Sequence, residues 1–254
     1  MQAFDLTGRI ALVTGASSGL GAEFARVLAA AGAQVVIGAR RSDKLEALAE
    51  EIRANGGSAL AVVMDVTQAD SIAMAFDRAE QEFGVVQVLV NNAGVSQGGF
   101  LTDLSEEAWD AVLDTNLKAV WLVAREGAKR MQSTATGGSI INISSVLAFG
   151  TGKTLGSYMA AKAGVVQLTR AMALEWADSH IRVNALAPGY FPTEMSGDFF
   201  TTDKGRAMIG RIPQQRVGDP TELGGPLLLL ASDASSYMTG SIVTVDGGHL
   251  CQSM

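Results

Sequence analysis

The sequence predicts an α/β protein, a doubly wound parallel sheet of about seven strands with helices on both faces, folded as a single domain over residues 1–254. Three observations predict it. Short apolar runs recur along the chain, helical periodicity fills the segments between them, and a cluster of glycines stands where the first run meets the first helical segment. The runs are RIALVTG, AQVVIGA, ALAVVMD, VQVLVNN, GSIINIS, IRVNALA and SIVTVDGG. They are too continuously apolar for strands with one wet face, which points to parallel strands covered on both sides.

The helical segments follow in order. Phe24, Val27, Leu28 and Ala31 succeed the first run at three- and four-residue intervals, Leu45, Leu48 and Ile52 the second, and Ile72, Phe76, Ala79 and Phe83 the third. Late in the chain, DPTELGGPLLLLAS opens with Asp219 as a helix cap and Pro220 in the first turn, but Pro226 falls inside the segment. A kink or a late helix start is expected there. The longest departure from the alternation is residues 189–220, rich in Gly, Pro, Thr and aromatics. An irregular insertion of that length in a compact domain is expected to be a lid over a site.

Composition narrows the function classes. A net charge of −7 argues against a nucleic-acid or anionic-membrane partner, both of which demand a basic surface. A single cysteine, Cys251, allows no intrachain disulfide and fits a reducing compartment. The chain starts without a basic-then-apolar leader, and no run approaches the roughly 18 apolar residues of a membrane span, so a cytoplasmic protein acting on small molecules is expected.

The first strand runs directly into TGASSGLG, with Gly15, Gly19 and Gly21 ahead of the first helix. Glycines let the backbone turn sharply and approach a pyrophosphate, while the helix N-terminus offers unpaired N–H groups and partial positive charge. The spacing is G-x-x-x-G-x-G rather than the commoner G-x-G-x-x-G, and with a strand before it and a helix after it a Rossmann-type dinucleotide site is the expectation. Two other matches are set aside. TGKT at Thr151–Thr154 lacks the glycine an ATP-binding loop needs five residues before Gly152, where Leu147 stands; the glycosylation-like triplet at Asn142 falls on a strand expected to be buried. His180 and His249 are isolated, and no metal is expected.

The stretch SYMAAKAGVVQL places Tyr158 and Lys162 one helical turn apart with small residues between them. Residues four apart share a helix face, so phenol and ammonium project together. Taken with TGASSGLG, with Asp65 and Val66 after the third run, with NNAG at Asn91–Gly94, with Asn116 in DTNLKAV, with Ser145 thirteen residues before Tyr158, and with APGYFPT at Ala187–Thr193, the chain resembles the short-chain dehydrogenase/reductase family over nearly its whole length. That resemblance implies a hydride-transferring NAD(P)(H)-dependent oxidoreductase acting on a ketone, a 3-oxoacyl thioester or a secondary alcohol. It also implies a catalytic set of Asn116, Ser145, Tyr158 and Lys162, and a cofactor set that includes Gly15, Ser17, Ser18, Gly19, Leu20, Gly21, Arg40, Asp65, Val66, Asn92, Ala93, Gly94, Tyr158, Lys162, Pro188, Gly189, Phe191 and Thr193. Substrate contacts are expected from Ser145, Tyr158 and Met195.

An alcohol gives up a hydride only as its hydroxyl proton leaves, so a base is needed, and in reverse an acid. Tyr158 is the candidate. Bringing a phenol from roughly 10 to near 7 takes about 4 kcal/mol, and the Lys162 ammonium is expected to supply much of it. By resemblance Lys162 also binds the nicotinamide ribose, Ser145 holds the substrate oxygen, and Asn116 holds a water that links Lys162 to solvent. Ser144 competes with Ser145, the thirteen-residue spacing favouring the latter, and Asn116 has the alternative role of capping or kinking its helix. Apolar Met195, Phe199, Phe200, Met208 and Ile209 in the 189–220 segment suggest a hydrophobic or medium-sized carbonyl compound. Resemblance to 3-oxoacyl-thioester reductases and to NAD-dependent sugar or alcohol dehydrogenases is equally good. A non-catalytic cofactor-binding regulator is the alternative from another class; it would not need all four catalytic residues, and all four are present.

Cofactor choice is expected to be decided at the end of the second strand. NAD is usually selected by an acidic residue there, and this chain has Ala39 followed by Arg40 and Arg41. A guanidinium fork suits a 2′-phosphate, so NADP(H) is expected over NAD(H), with Arg40 as the reader and Arg41 turned to solvent, or with one arginine pairing instead with Asp43 or Glu46. A homotetramer is expected from the family's habit and from Trp109, Trp121, Val165, Val166, Leu168 and Met172 on the helices that relatives use for assembly.

Overall fold

The computed structural model describes residues 2–194 and 196–251. Seven strands form one sheet: β1 (Ile10–Thr14), β2 (Gln34–Ala39), β3 (Ser58–Val63), β4 (Val88–Asn91), β5 (Gly138–Ile143), β6 (Ile181–Pro188) and β7 (Ile242–Val245). Their order is β3-β2-β1-β4-β5-β6-β7, and every neighbouring pair is parallel. The chain steps outward from β1 to β3 and then returns to lay β4 against the other side of β1. That reversal leaves a crevice beyond the C-terminal ends of β1 and β4, where open α/β sheets bind ligands.

Alternation along each strand explains why the runs are apolar throughout. Ala11, Val13, Val35 and Ile37 pack with Phe24, Leu28, Leu45 and Ile52 of α1 (Gly19–Ala30) and α2 (Ser42–Ala54) on one face. Leu12, Val36, Leu89 and Ile140 pack with Ile72, Phe76, Val123 and Met172 of α3 (Ala69–Glu82), α5 (Ala119–Thr134) and α6 (Gly156–Trp176) on the other. Both faces are therefore dry. Asn142 is fully buried on β5, accepting from Asn91 Nδ2 and donating to Thr169 Oγ1, both at 2.9 Å, so its triplet is a core feature.

Pro226 is resolved by a late start. Asp219 and Glu222 form a capping box on the short 3-10 turn Pro220–Leu223, and α8 (Gly224–Ala231) begins only after it, which puts Pro226 in the first turn where no i−4 partner is lost. Among the described residues of 189–220 are a 3-10 turn, Phe199–Thr201, and a short α-helix, α7 (Asp203–Ile209).

The structure adds one irregularity and corrects one expectation. α4 (Glu106–Leu113) runs into α5 through a π-turn, Asp114–Lys118, which hydrophobic periodicity does not reveal. Of the residues expected to be left for an interface, Val165, Val166 and Met172 are buried within the chain and Leu168 packs on the core, because α6 lies directly on the sheet; Trp109 and Trp121 remain exposed.

Candidate active site

The crevice is a cavity of about 790 Å³ at the C-terminal ends of the central strands. β1 delivers the glycine-rich loop into it. Gly15 has φ +67°, and a Cβ there would lie 2.7 Å from Ala93 Cα; one on Gly21 would lie 2.4 Å from the Gly15 carbonyl oxygen. Only glycine permits this approach of the loop to β4 and of α1 to the loop. Thr14 Oγ1 accepts from the N–H groups of Asn92 (3.0 Å) and Ala93 (3.1 Å), and Asn92 Nδ2 donates to Thr14 O at 3.0 Å, which lace the two strand ends together. Ser18 precedes α1 without capping its first-turn N–H groups by its side chain, so these stay available at the cavity wall.

β5 and α6 supply the reactive groups. Ser144 is spent on structure, its hydroxyl donating to Lys162 O at 3.0 Å from a buried position. Ser145, the next residue, accepts from Leu147 N–H at 3.1 Å and faces the Tyr158 hydroxyl. Of the two serines, Ser144 thus has its hydroxyl on the helix backbone and Ser145 has the one beside Tyr158. Lys162 is buried, its Nζ donating to Ile143 O at 2.7 Å and standing 5.7 Å from the Tyr158 ring centroid.

Burial acts on both members of this pair. Burial pushes the Tyr158 phenol above its ordinary value, with the Ser145 hydroxyl pulling the other way. Burial also pushes the Lys162 ammonium down to about 8. The ammonium rests on the Ile143 carbonyl, and desolvation dominates both groups.

Asn116 lies outside the cavity lining. The π-turn rotates its side chain inward, where Oδ1 accepts from Val95 N–H at 2.8 Å and Nδ2 donates to Val95 O at 2.7 Å. It is fully buried and braces the strand-to-helix connection beneath the site, both polar groups of its side chain being bonded to the Val95 backbone. The alternative of a helix irregularity at Asn116 thus describes the local geometry.

The rest of the expected set lines one cavity: Gly15, Ser17, Ser18, Gly19, Leu20, Gly21, Arg40, Asp65, Val66, Asn92, Ala93, Gly94, Ser145, Tyr158, Lys162, Pro188, Gly189, Phe191 and Thr193. Met195 lies outside the described residues. Phe199, Phe200 and Met208 reach the cavity and Ile209 is not among its lining residues. Asp65 turns its carboxylate onto Thr67 N–H (3.0 Å) and Thr67 Oγ1 (2.8 Å), which with the nearby Arg40 charge hold it below the usual carboxylate range.

Arg41 was expected to point to solvent; instead it folds over the glycine-rich loop. Its Nε and Nη2 donate to Ser17 Oγ at 3.1 and 2.9 Å, Nη2 to Ser18 Oγ at 2.7 Å, and Nη1 to Glu194 Oε2 at 3.0 Å. Lys44 Nζ donates to Glu194 Oε1 at 2.6 Å. Neither Asp43 nor Glu46 takes up Arg41; Glu46 pairs with Arg53. Sequence reading also missed Ser96, Lys153, Thr154, Tyr190 and Glu194 on the cavity wall. Lys153 stands in TGKT, whose other residues do not make an ATP loop, and Glu194 reaches Arg41 across 153 positions that no local pattern spans.

A glycine cradle at the switch point, helix N–H groups open beside it and a tyrosine, lysine and serine converging at its far end define a dinucleotide-dependent oxidoreductase. Comparisons agree. A family model described as Enoyl-(Acyl carrier protein) reductase matches residues 15–249. The 2-dehydro-3-deoxy-D-gluconate 5-dehydrogenase of Escherichia coli (strain K12) is 40% identical over 253 residues, 99% of each chain. A short-chain type dehydrogenase/reductase from Mycobacterium marinum superposes with a TM-score of 0.95 at 41% identity over 99% of each chain. A gluconate 5-dehydrogenase from Burkholderia cenocepacia J2315, in complex with NADP and tartrate, gives a TM-score of 0.95 at 37% identity over 99% of this chain and 98% of that one. The chain belongs to the short-chain dehydrogenase/reductase family. It is an NAD(P)-dependent oxidoreductase that moves a hydride between a nicotinamide and a carbonyl or CH–OH group.

Proposed function

We propose that the chain is an NADP(H)-preferring dehydrogenase that interconverts a secondary alcohol and a ketone on a small hydroxy acid, with Tyr158 as proton donor and acceptor. The observation that carries the cofactor reading is the anion site at the end of β2. Arg41, Lys44 and Ser18 hold the Glu194 carboxylate, while no acidic side chain stands at Ala39 to repel a 2′-phosphate. Arg40 lies beside it on the same wall. The cradle of Gly15, Gly19 and Gly21 and the open N–H groups of α1 fit the pyrophosphate.

The bound nicotinamide supplies or accepts the hydride. Tyr158 gives its proton to the forming alkoxide in reduction and takes it back in oxidation. Ser145 orients the substrate oxygen toward that phenol. Lys162, anchored on Ile143 O, holds the ammonium beneath the ring and meets the cofactor ribose. Residues 189–220 act as the lid, with Tyr190, Phe199, Phe200 and Met208 excluding water from the reacting end.

A hydroxy acid is favoured over a fatty acyl thioester by Lys153, a cation on the cavity wall with Ser96 and Thr154, and by the substrates named in the Escherichia coli and Burkholderia relatives. A lone exposed thiol, Cys251, fits a cytoplasmic setting. The test is kcat/KM for a panel of sugar acids, simple ketones and 3-oxoacyl thioesters with each cofactor, on wild type, Arg41→Ala and Ala39→Asp. Preference for NADP(H) that Arg41→Ala and Ala39→Asp each reverse is expected. Wild-type preference for NAD(H), or higher kcat/KM on the acyl thioester, would replace this reading.

A further inference from the structure

The anion site at the end of β2 is already filled, and by the protein itself. Glu194 belongs to the segment that follows β6, yet its carboxylate accepts from Arg41 Nη1 at 3.0 Å and from Lys44 Nζ at 2.6 Å, with Ser18 as a third partner. To reach them the chain passes over the glycine-rich loop. Thr193 Cβ lies 3.4 Å from where a Gly19 Cβ would stand. The remaining nitrogens of Arg41 are bonded to Ser17 and Ser18, so its whole fork is engaged. A second anion can use the same donors only by displacing the first, because two like charges cannot share one small site.

We propose, on the reading that this enzyme takes NADP(H), that Glu194 is a specificity determinant acting by competition: a 2′-phosphate must displace its carboxylate from Arg41 and Lys44, whereas a free ribose 2′-hydroxyl leaves the ion pairs in place. Affinity for the phosphorylated cofactor is then lower than the cations alone would give. Displacement also releases the start of the 189–220 segment from α2, so the two cofactors leave that segment differently tethered. Arg41, Lys44 and Glu194 are all substantially solvent-exposed, so the competition is modest and weakens with salt.

The test uses adenosine 2′,5′-bisphosphate and 5′-AMP as probes, with calorimetric Kd values for wild type, Glu194→Gln, Arg41→Ala and the double variant. Glu194→Gln is expected to tighten the bisphosphate by about fivefold while 5′-AMP stays within about twofold. In the Arg41→Ala background the same change should lose most of that gain. Trypsin cleavage at Lys204 and Arg206, both exposed, should be faster in wild type with the bisphosphate than with 5′-AMP, and fast in Glu194→Gln with either. An unchanged bisphosphate Kd in Glu194→Gln overturns the proposal. Weakened 5′-AMP also overturns it, since Glu194 would then be a ribose acceptor. Wild type that binds both probes equally would instead defeat the NADP(H) reading, and the Glu194→Gln shift would still judge the competition separately.

Discussion

Lys162 carries a cost that its neighbours do not remove. It is buried on a backbone carbonyl, and its ammonium titrates at about 8 instead of 10.5. A depressed lysine pKa means that the unfolded chain binds more protons between those values, so stability rises with pH through that window and the full penalty applies below about 8. That penalty is roughly 3 kcal/mol at neutral pH, partly offset by the bond to Ile143 O. Lys162→Met is accordingly expected to stabilise the protein by about 1 kcal/mol at neutral pH and to destabilise it above about pH 10.5, read from urea midpoints, while abolishing turnover. A variant less stable than wild type at every pH would show that the ammonium is better solvated than this geometry allows. Tyr158→Phe keeps the ring's packing and removes the transferable proton, so cofactor affinity should persist while kcat falls about 10²–10⁴-fold. Retention of more than about a tenth of the wild-type rate would remove Tyr158 from the proton-transfer role. The pairing of these two residues was legible because helical spacing is local; the direction of their titration was not, since it depends on burial created by β5 and the loop after it.

At the scale of elements, strands were the most legible feature because each run is apolar on both faces and bounded by polar or glycine residues. The π-turn at Asp114–Lys118 was not legible, since one extra residue per turn leaves no mark on the periodicity of a helix that is apolar on only part of its surface. Its consequence is local and large. Asn116 is rotated into contact with Val95, satisfying a half-buried backbone N–H and C=O that β4 leaves as it ends. Asn116→Ala removes both bonds and should cost about 2 kcal/mol in a denaturant titration. Because Val95 lines the cavity, KM should rise with it. Asn116→Asp should not rescue, as a carboxylate can accept from Val95 N–H but cannot donate to Val95 O. Full rescue by Asp would mean that the donor half of the pair contributes nothing. The Arg41–Glu194 contact was equally hidden, joining two elements whose proximity only the completed sheet creates.

For the whole molecule, the question is how one sheet protein disposes of the aromatic surface on α4 and α5. Trp109 and Trp121 are 38% and 40% exposed, Arg125 stacks over the Trp121 ring at 4.6 Å, and Leu174 on α6 is 82% exposed. The rest of the apolar set on α6 is consumed by the core, so the case for assembly rests on fewer residues than the sequence implied, though these are large and fall on adjacent helices that pack across one face of the sheet. Tryptophan and arginine are the residue types that dominate buried interface centres, and a symmetric contact buries each patch against its own copy. We therefore expect this patch to form one two-fold contact of a homotetramer, whose second contact lies on another face, in spite of the net charge of −7 that opposes random association. Trp121→Glu together with Leu174→Glu should split it into smaller species without unfolding them, because neither side chain belongs to a core cluster. Light scattering at micromolar concentration decides the matter: a wild-type mass near 26.4 kDa would refute assembly, and an unchanged tetramer in the double variant would move the interface to another face.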